Sequence, residues 1–287
     1  MPRIEPLRNA AIASALEQAL VRAKHDELGA LLVRAGGLPG PRPNWRLAWA
    51  FAHSVAAAHG RADALVADLV AMDSRRAPPR SALEFLPVVG VFCVAARALV
   101  APSLGPELDR LASMAEDPRH LVREAVVLAL VELASERSEE LVPLLGAWMA
   151  AYLPAAVALT ALSARPWLDR IASAGSLIAR LDEAFSLAEN AGRADRRSQG
   201  YRALVDALSP AVTKIMERFS GPTLAWLETH VATEDVPLRQ ALHEIIDHAP
   251  SRSQLESVRA GLDANDPPRR DPRTYVGPTR RRGSRKG

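Results

Sequence analysis

Histidines, a cysteine and paired tryptophans are the side chains in this sequence whose spacing could do chemistry. The run His243-Glu-Ile-Ile-Asp247-His248 places two histidines close together in a segment with helical periodicity. Two imidazoles four residues apart on a helix share a face and can hold one metal. Here they are five apart, so their side chains diverge by roughly 140° around the axis and do not converge on an ion. His243 and Asp247 do share a face, and a hydrogen bond on the helix surface is the expectation there. Trp45, Trp49 and His53 recur at four-residue spacing and project together, which makes them candidate binding residues. The same pattern also fits large side chains filling the gap between two pairs of helices. Cys93, the one cysteine, sits in the apolar run FCVAARALV, which implies a buried, inert thiol. No phosphate-cradling glycine loop, nucleophile elbow or paired-cysteine motif is present, and no Ser/His/Asp spacing marks a triad. No catalytic residue, metal ligand or cofactor is therefore assigned.

The elements that would position these residues read as helices throughout. Of the 287 residues, 48% are hydrophobic but only 5% aromatic, so the apolar content is mostly Ala, Leu and Val. Such a composition favours helix and close helix packing, and strand-like runs of Ile, Thr, Tyr and Phe are scarce. The fold class expected is all-α. Helices are expected near 7–23, 26–34, 45–59 and 62–72. Gly36-Gly37 should stop the second, the proline-rich LPGPRPN should form a stiff connector, and Asn44 should cap the third. Ser81 with Glu84 suggests a capping box for a long apolar helix reaching about Val100, with Pro87 a source of a kink. Further helices are expected at 107–115, 120–135, 138–148, 153–164, 166–174 and 177–190. RADRRSQ then provides a joint near 191–199. Beyond it, helices are expected at 201–208, 210–219, 222–232, 237–249 and 253–264, the last with a second capping box at Ser253 and Glu256.

The stretch EDPRHLVREAVVLALVELA, 116–134, is the most informative. Val122, Ala125, Val126, Leu128, Ala129 and Leu133 cover most of a helix circumference, leaving Arg123, Glu124 and Glu132 for a polar strip. A helix so apolar must be enclosed by neighbours. Asp117-Pro118, then Val122-Arg123, then a small residue resembles the HEAT-repeat signature. TEDVPLRQALHEII, 233–246, resembles a shortened copy, and YLPAAVALTAL, 152–162, keeps the apolar pattern without the arginine. GLPGPRPN and YVGPTRRRG are also similar to segments of uncharacterised bacterial HEAT-repeat proteins. The resemblance implies a right-handed α-solenoid of helical pairs over 1–264, acting as a non-catalytic scaffold for protein partners. It further implies that Arg123, with Asp117 or a neighbouring carboxylate, belongs to a structural ladder between repeats. A more distant resemblance, to the HEAT-like DNA alkylation-repair glycosylases, implies the alternative of a nucleic-acid-binding solenoid, with Trp45, Trp49 and Trp148 supplying aromatics.

Charge separates those two readings. Only Lys24, Lys214 and Lys286 are lysines among the 36 basic residues, a skew that fits arginine-favouring codons in a high-GC genome. Residues 267–287 hold eight basic residues and one acid, net +7, while 1–266 hold 28 basic and 32 acidic residues, net −4. The segment 265–287 is expected to be a disordered basic tail. Its Arg280, Arg281, Arg282, Arg285 and Lys286 could neutralise phosphates without reading sequence, bind acidic proteins or keep the chain soluble. An acidic body opposes a DNA-holding cleft. The N-terminus lacks a signal-peptide core, and the apolar stretch 85–96 is short for a membrane span, so a cytoplasmic protein without a membrane partner is expected.

Overall fold

Thirteen of the sixteen residues of the helix Phe85–Val100 are buried, and the other helices are arranged around it and beyond it in series. The computed structural model describes residues 7–249 and 255–265. Helix accounts for 78% of these, with no strand among them, so the fold is all-α. The helices are α1 (Ala10–Arg22), α2 (Asp26–Ala35), α3 (Trp45–Ala57), α4 (Asp63–Val70), α5 (Phe85–Val100), α6 (Gly105–Ala115) and α7 (His120–Leu144). They continue as α8 (Tyr152–Leu162), α9 (Arg165–Leu168), α10 (Gly175–Glu189), α11 (Gln199–Arg218), α12 (Ser220–His230), α13 (Val236–His248) and α14 (Glu256–Asn265).

Packing runs from neighbour to neighbour. α3 lies on α5, α5 on α7, α7 on α8, α8 on α11 and α11 on α13. The helices between them in sequence cover this row: α4 and α6 pack on α5, α10 on α11, and α14 on α12 and α13. The buried core is one cluster from Ile12 to Leu262, and it crosses the expected joint near 191–199. That segment contains a 3-10 turn at Asp195–Arg197, tied down by Arg196 Nε and Nη2 donating to the carbonyls of Ala191 and Glu189 at 3.0 and 3.1 Å.

Local signals explain most boundaries. Asn9, Asn44, Ser198 and Asp235 each accept the backbone N–H three residues on, capping α1, α3, α11 and α13. Gly37 takes φ +80° after α2, a conformation that disfavours any side chain. The chain differs from expectation where tertiary contacts override local rules. The box at Ser81 and Glu84 does not form: the Ser81 hydroxyl donates to Pro78 O at 2.7 Å, and the buried Glu84 accepts from Arg80 N at 2.6 Å. A 3-10 turn, Ala82–Glu84, leads into α5, where Pro87 occupies the first turn and removes no hydrogen bond. Pro210 lies inside α11, which continues to Arg218 because α8 and α13 pack along it. Conversely, the helix expected at 166–174 ends at Leu168. α7 breaks at Arg137 (φ −134°, ψ 35°), between the two segments expected as separate helices. The apolar stretch is longer than the sequence reading allowed, since 82–100 has the length and hydropathy of a membrane span. In this fold it is the enclosed core helix.

Candidate functional site

The arginines of this chain hold the helices together, and that decides which side chains remain for other work. Arg119 closes the α6–α7 turn, immediately before α7, and is 2% exposed. It grips the Asp117 carboxylate with Nε at 2.8 Å and Nη2 at 2.5 Å, and donates to the carbonyls of Met72, Asp73 and Ala77 at 2.7, 3.3 and 2.9 Å. One guanidinium thereby joins the turn before α7 to the segment after α4, and the bidentate geometry is the strong form of this contact. Arg123, also buried, donates from Nη1 to Asp117 O at 2.6 Å. It closes its own turn through a carbonyl. Burial lowers the Arg123 pKa, partly offset by Asp117 nearby.

α13 repeats this arrangement in register. Arg239 Nη2 donates to Thr233 O at 2.7 Å, again six residues back, at the same distance from the start of its helix. Asp235 then stands where Arg119 stands before α7, and its carboxylate pairs with Arg196 and accepts from Tyr201 Oη at 3.3 Å.

A second series ties helix ends to later helices. Arg97 donates to His59 O just past α3 and pairs with Asp63. Arg137 donates to Ala98 O and Ala101 O at the end of α5 and pairs with Glu140. Arg180 donates to Val142 O and Pro143 O at the end of α7 and pairs with Glu183. These links reach back 36 to 39 residues. Cations at helix C-termini satisfy orphan carbonyls and oppose the helix dipole. Gly146 permits the third, because a Cβ there would lie 2.6 Å from Arg180 Nη1.

The expected aromatic site is partly buried against the core. Trp45 and Trp49 pack on Phe92 of α5, with centroids 5.8 and 4.6 Å away, and His53 stacks on Trp49 at 5.5 Å. Burial lowers the His53 pKa, and the Glu132 charge opposes that shift. The geometry brings the three together in the α3–α5 seam. Cys93 is fully buried, and desolvation pushes its thiol far above the ordinary range. His248 Nδ1 is engaged by Glu244 O at 2.7 Å, and Asp247 pairs with Arg259. Among the described residues no three His, Cys, Asp or Glu side chains form a metal-holding group. Arg280, Arg281, Arg282, Arg285 and Lys286, and the box at Ser253, lie outside the described residues.

One constellation invites a catalytic reading. His230 Nε2 lies 3.3 Å from Asp182, and its Nδ1 lies 2.9 Å from Thr229 Oγ1. The Thr229 hydroxyl, however, donates to Trp226 O at 2.7 Å, which commits its proton to the helix backbone. His230 is packed against Phe185 and Trp226. The group fastens α10 to α12.

One of the open grooves, of about 420 Å³, runs across α7, α8 and α11. Val127 and Leu128, Leu153, Ala156 and Val157, then Ala203 and Ala207 form its surface. Thr160 is exposed in it, its hydroxyl donating to Ala156 O at 2.8 Å. At one end His120 and Glu124 approach to 3.9 Å. No single residue type announced this groove, since it is assembled from three helices separated in sequence. Comparison with known protein families, curated proteins and solved structures finds no match to this chain.

Proposed function

We propose that the chain is a HEAT-like helical scaffold that docks a protein partner across α7, α8 and α11. The observation carrying this reading is the chemistry of the groove. Its surface is Val, Leu and Ala, its one acid pairs with its one histidine, and its one arginine is turned onto Asp117 O. A cleft that holds nucleic acid concentrates unpaired positive charge. An apolar patch with a small polar rim instead suits a protein surface. The neighbour-to-neighbour packing and the arginine links 36 to 39 residues long support a repeat architecture, whose usual asset is an extended binding face. Nucleic-acid contact, in this reading, belongs to the basic segment 267–287 alone.

Thr160→Arg tests the docking face, because Thr160 is exposed and the substitution adds bulk and charge without disturbing the core. In quantitative co-purification from source cells, a partner retained by the wild type should fall by roughly tenfold or more with Thr160→Arg. It should persist when 267–287 are deleted. A partner retained by Thr160→Arg and lost with the deletion would refute this face as the docking site.

A further inference from the structure

A different cleft, of about 550 Å³, is walled by α2 on one side and by α4 and the segment after it on the other. Leu28 and Leu32 form its depth with Leu65 and Leu69, and all four are buried. Its lip is apolar as well, since Met72 is half-buried and Leu83 is 42% exposed. Along the α2 wall, Asp26, Gly29, Ala30 and Val33 recur at the spacing of one helix face and all line the cleft. Gly29 lies inside α2, where glycine weakens a helix relative to alanine. Packing within the chain does not require it, because no packing neighbour lies within 4 Å of the place a Cβ would take. Gly90 of α5 is the contrast: a Cβ there would stand 3.1 Å from the Leu69 backbone. Gly29 instead leaves the α2 backbone bare at the cleft, open to close approach from outside.

The charges at the lip identify the occupant. His25 and Asp68 are engaged with each other, 2.6 Å apart. That leaves Asp26 on the α2 wall and Arg76 on the opposite wall, both exposed and neither in an ion pair among the described residues. A surface with one acid on one wall and one base on the other is complementary to itself. Turned about a two-fold axis, Asp26 of each copy meets Arg76 of the other. A partner of a single charge sign would set one of the two against its like. We propose that this cleft is a homodimer interface, in which two copies pair about a two-fold axis with their α2 helices in close approach at Gly29 and Asp26 of each facing Arg76 of the other. The pairing covers Leu83, Met72 and Val33, and its two-fold symmetry closes the assembly at two copies. The interface shares no residue with the groove across α7, α8 and α11 and stands independently of it.

Sedimentation of the full chain from about 1 to 100 μM, which spans dissociation constants in the micromolar range, reads this directly. The wild type should pass from monomer to dimer. Asp26→Arg and Arg76→Asp should each weaken association by roughly tenfold or more, since each sets like charges together at both symmetry-related contacts. An equimolar mixture of the two variants should regain wild-type association, because one chain then carries two arginines and the other two aspartates. Damage to α2 itself would not be repaired by mixing, and circular dichroism of both variants should match the wild type. Gly29→Leu, which fills the space over α2, should weaken association as much while raising resistance to urea through its better helix propensity. A wild type that stays monomeric throughout overturns the interface, and so does a mixture that associates no better than its parts.

Discussion

Arg119→Ala should destabilise the chain by about 3–5 kcal/mol, the range for removing one partner of a buried ion pair. The substitution leaves the Asp117 carboxylate with the backbone N–H of residue 119 in place of the guanidinium, and takes the guanidinium donors from the carbonyls of Met72, Asp73 and Ala77, of which Asp73 O keeps Ala77 N. It also severs the link between the α6–α7 turn and the segment after α4. Arg119→Met, which restores much of the volume but no donor, should recover little of the loss, since the cost lies in unpaired acceptors. Arg123→Ala is the natural comparison. It removes a hydrogen bond to one carbonyl, Asp117 O, and should cost about 1–3 kcal/mol. Urea unfolding of the three variants checks the ranking. Equal losses for Arg119→Ala and Arg123→Ala would mean that the inter-helix link carries no special weight.

Phe92→Ala should cost a similar amount, about 3–5 kcal/mol, through the cavity it leaves. Phe92 is fully buried, and its ring is where α3 meets α5 by way of Trp45 and Trp49. Loss of that ring removes both aromatic contacts and admits water to the seam. A red shift in tryptophan emission should therefore accompany the lower midpoint in urea. Stability falling without any change in emission would place the tryptophans outside the seam. Trp45→Ala and Trp49→Ala should be milder, because both indoles are only partly buried.

The helical architecture was legible because its signals are local. Asn44 caps α3, Gly37 ends the turn after α2, and the apolar circumference of 120–134 required enclosure. Arg137 breaks α7 between the segments expected as separate helices, 120–135 and 138–148. The site was harder to read, since its determinants are contacts between distant residues. Arg119 stood two residues from Asp117 in plain view, but the carbonyls that make it a buried link come from 72–77. Arg123, beside it, carried the family-like pattern and proved to close its own turn. Pro210 looked like a boundary by local rules, yet α11 runs through it with α8 and α13 packed alongside. The second copy of the turn seemed shortened because its proline is displaced. Arg239 and Thr233 O nevertheless keep the six-residue closure of Arg123 and Asp117 O. The groove across α7, α8 and α11 has no sequence signature, because alanines at 156, 203 and 207 read equally well as core.

The division of labour proposed for this chain, a protein-docking body with nucleic-acid contact confined to 267–287, meets its most direct test in a DNA titration. Duplex and single-stranded DNA would be titrated with the full chain and with the chain lacking 267–287, at low and moderate salt. The full chain should bind without sequence preference and weaken steeply with salt, because counterion release drives such binding. The shortened chain, net −4, should show no binding above background at either salt concentration. Tight, salt-resistant binding by the shortened chain, with preference for a sequence or a lesion, would contradict this account and make the body a nucleic-acid reader.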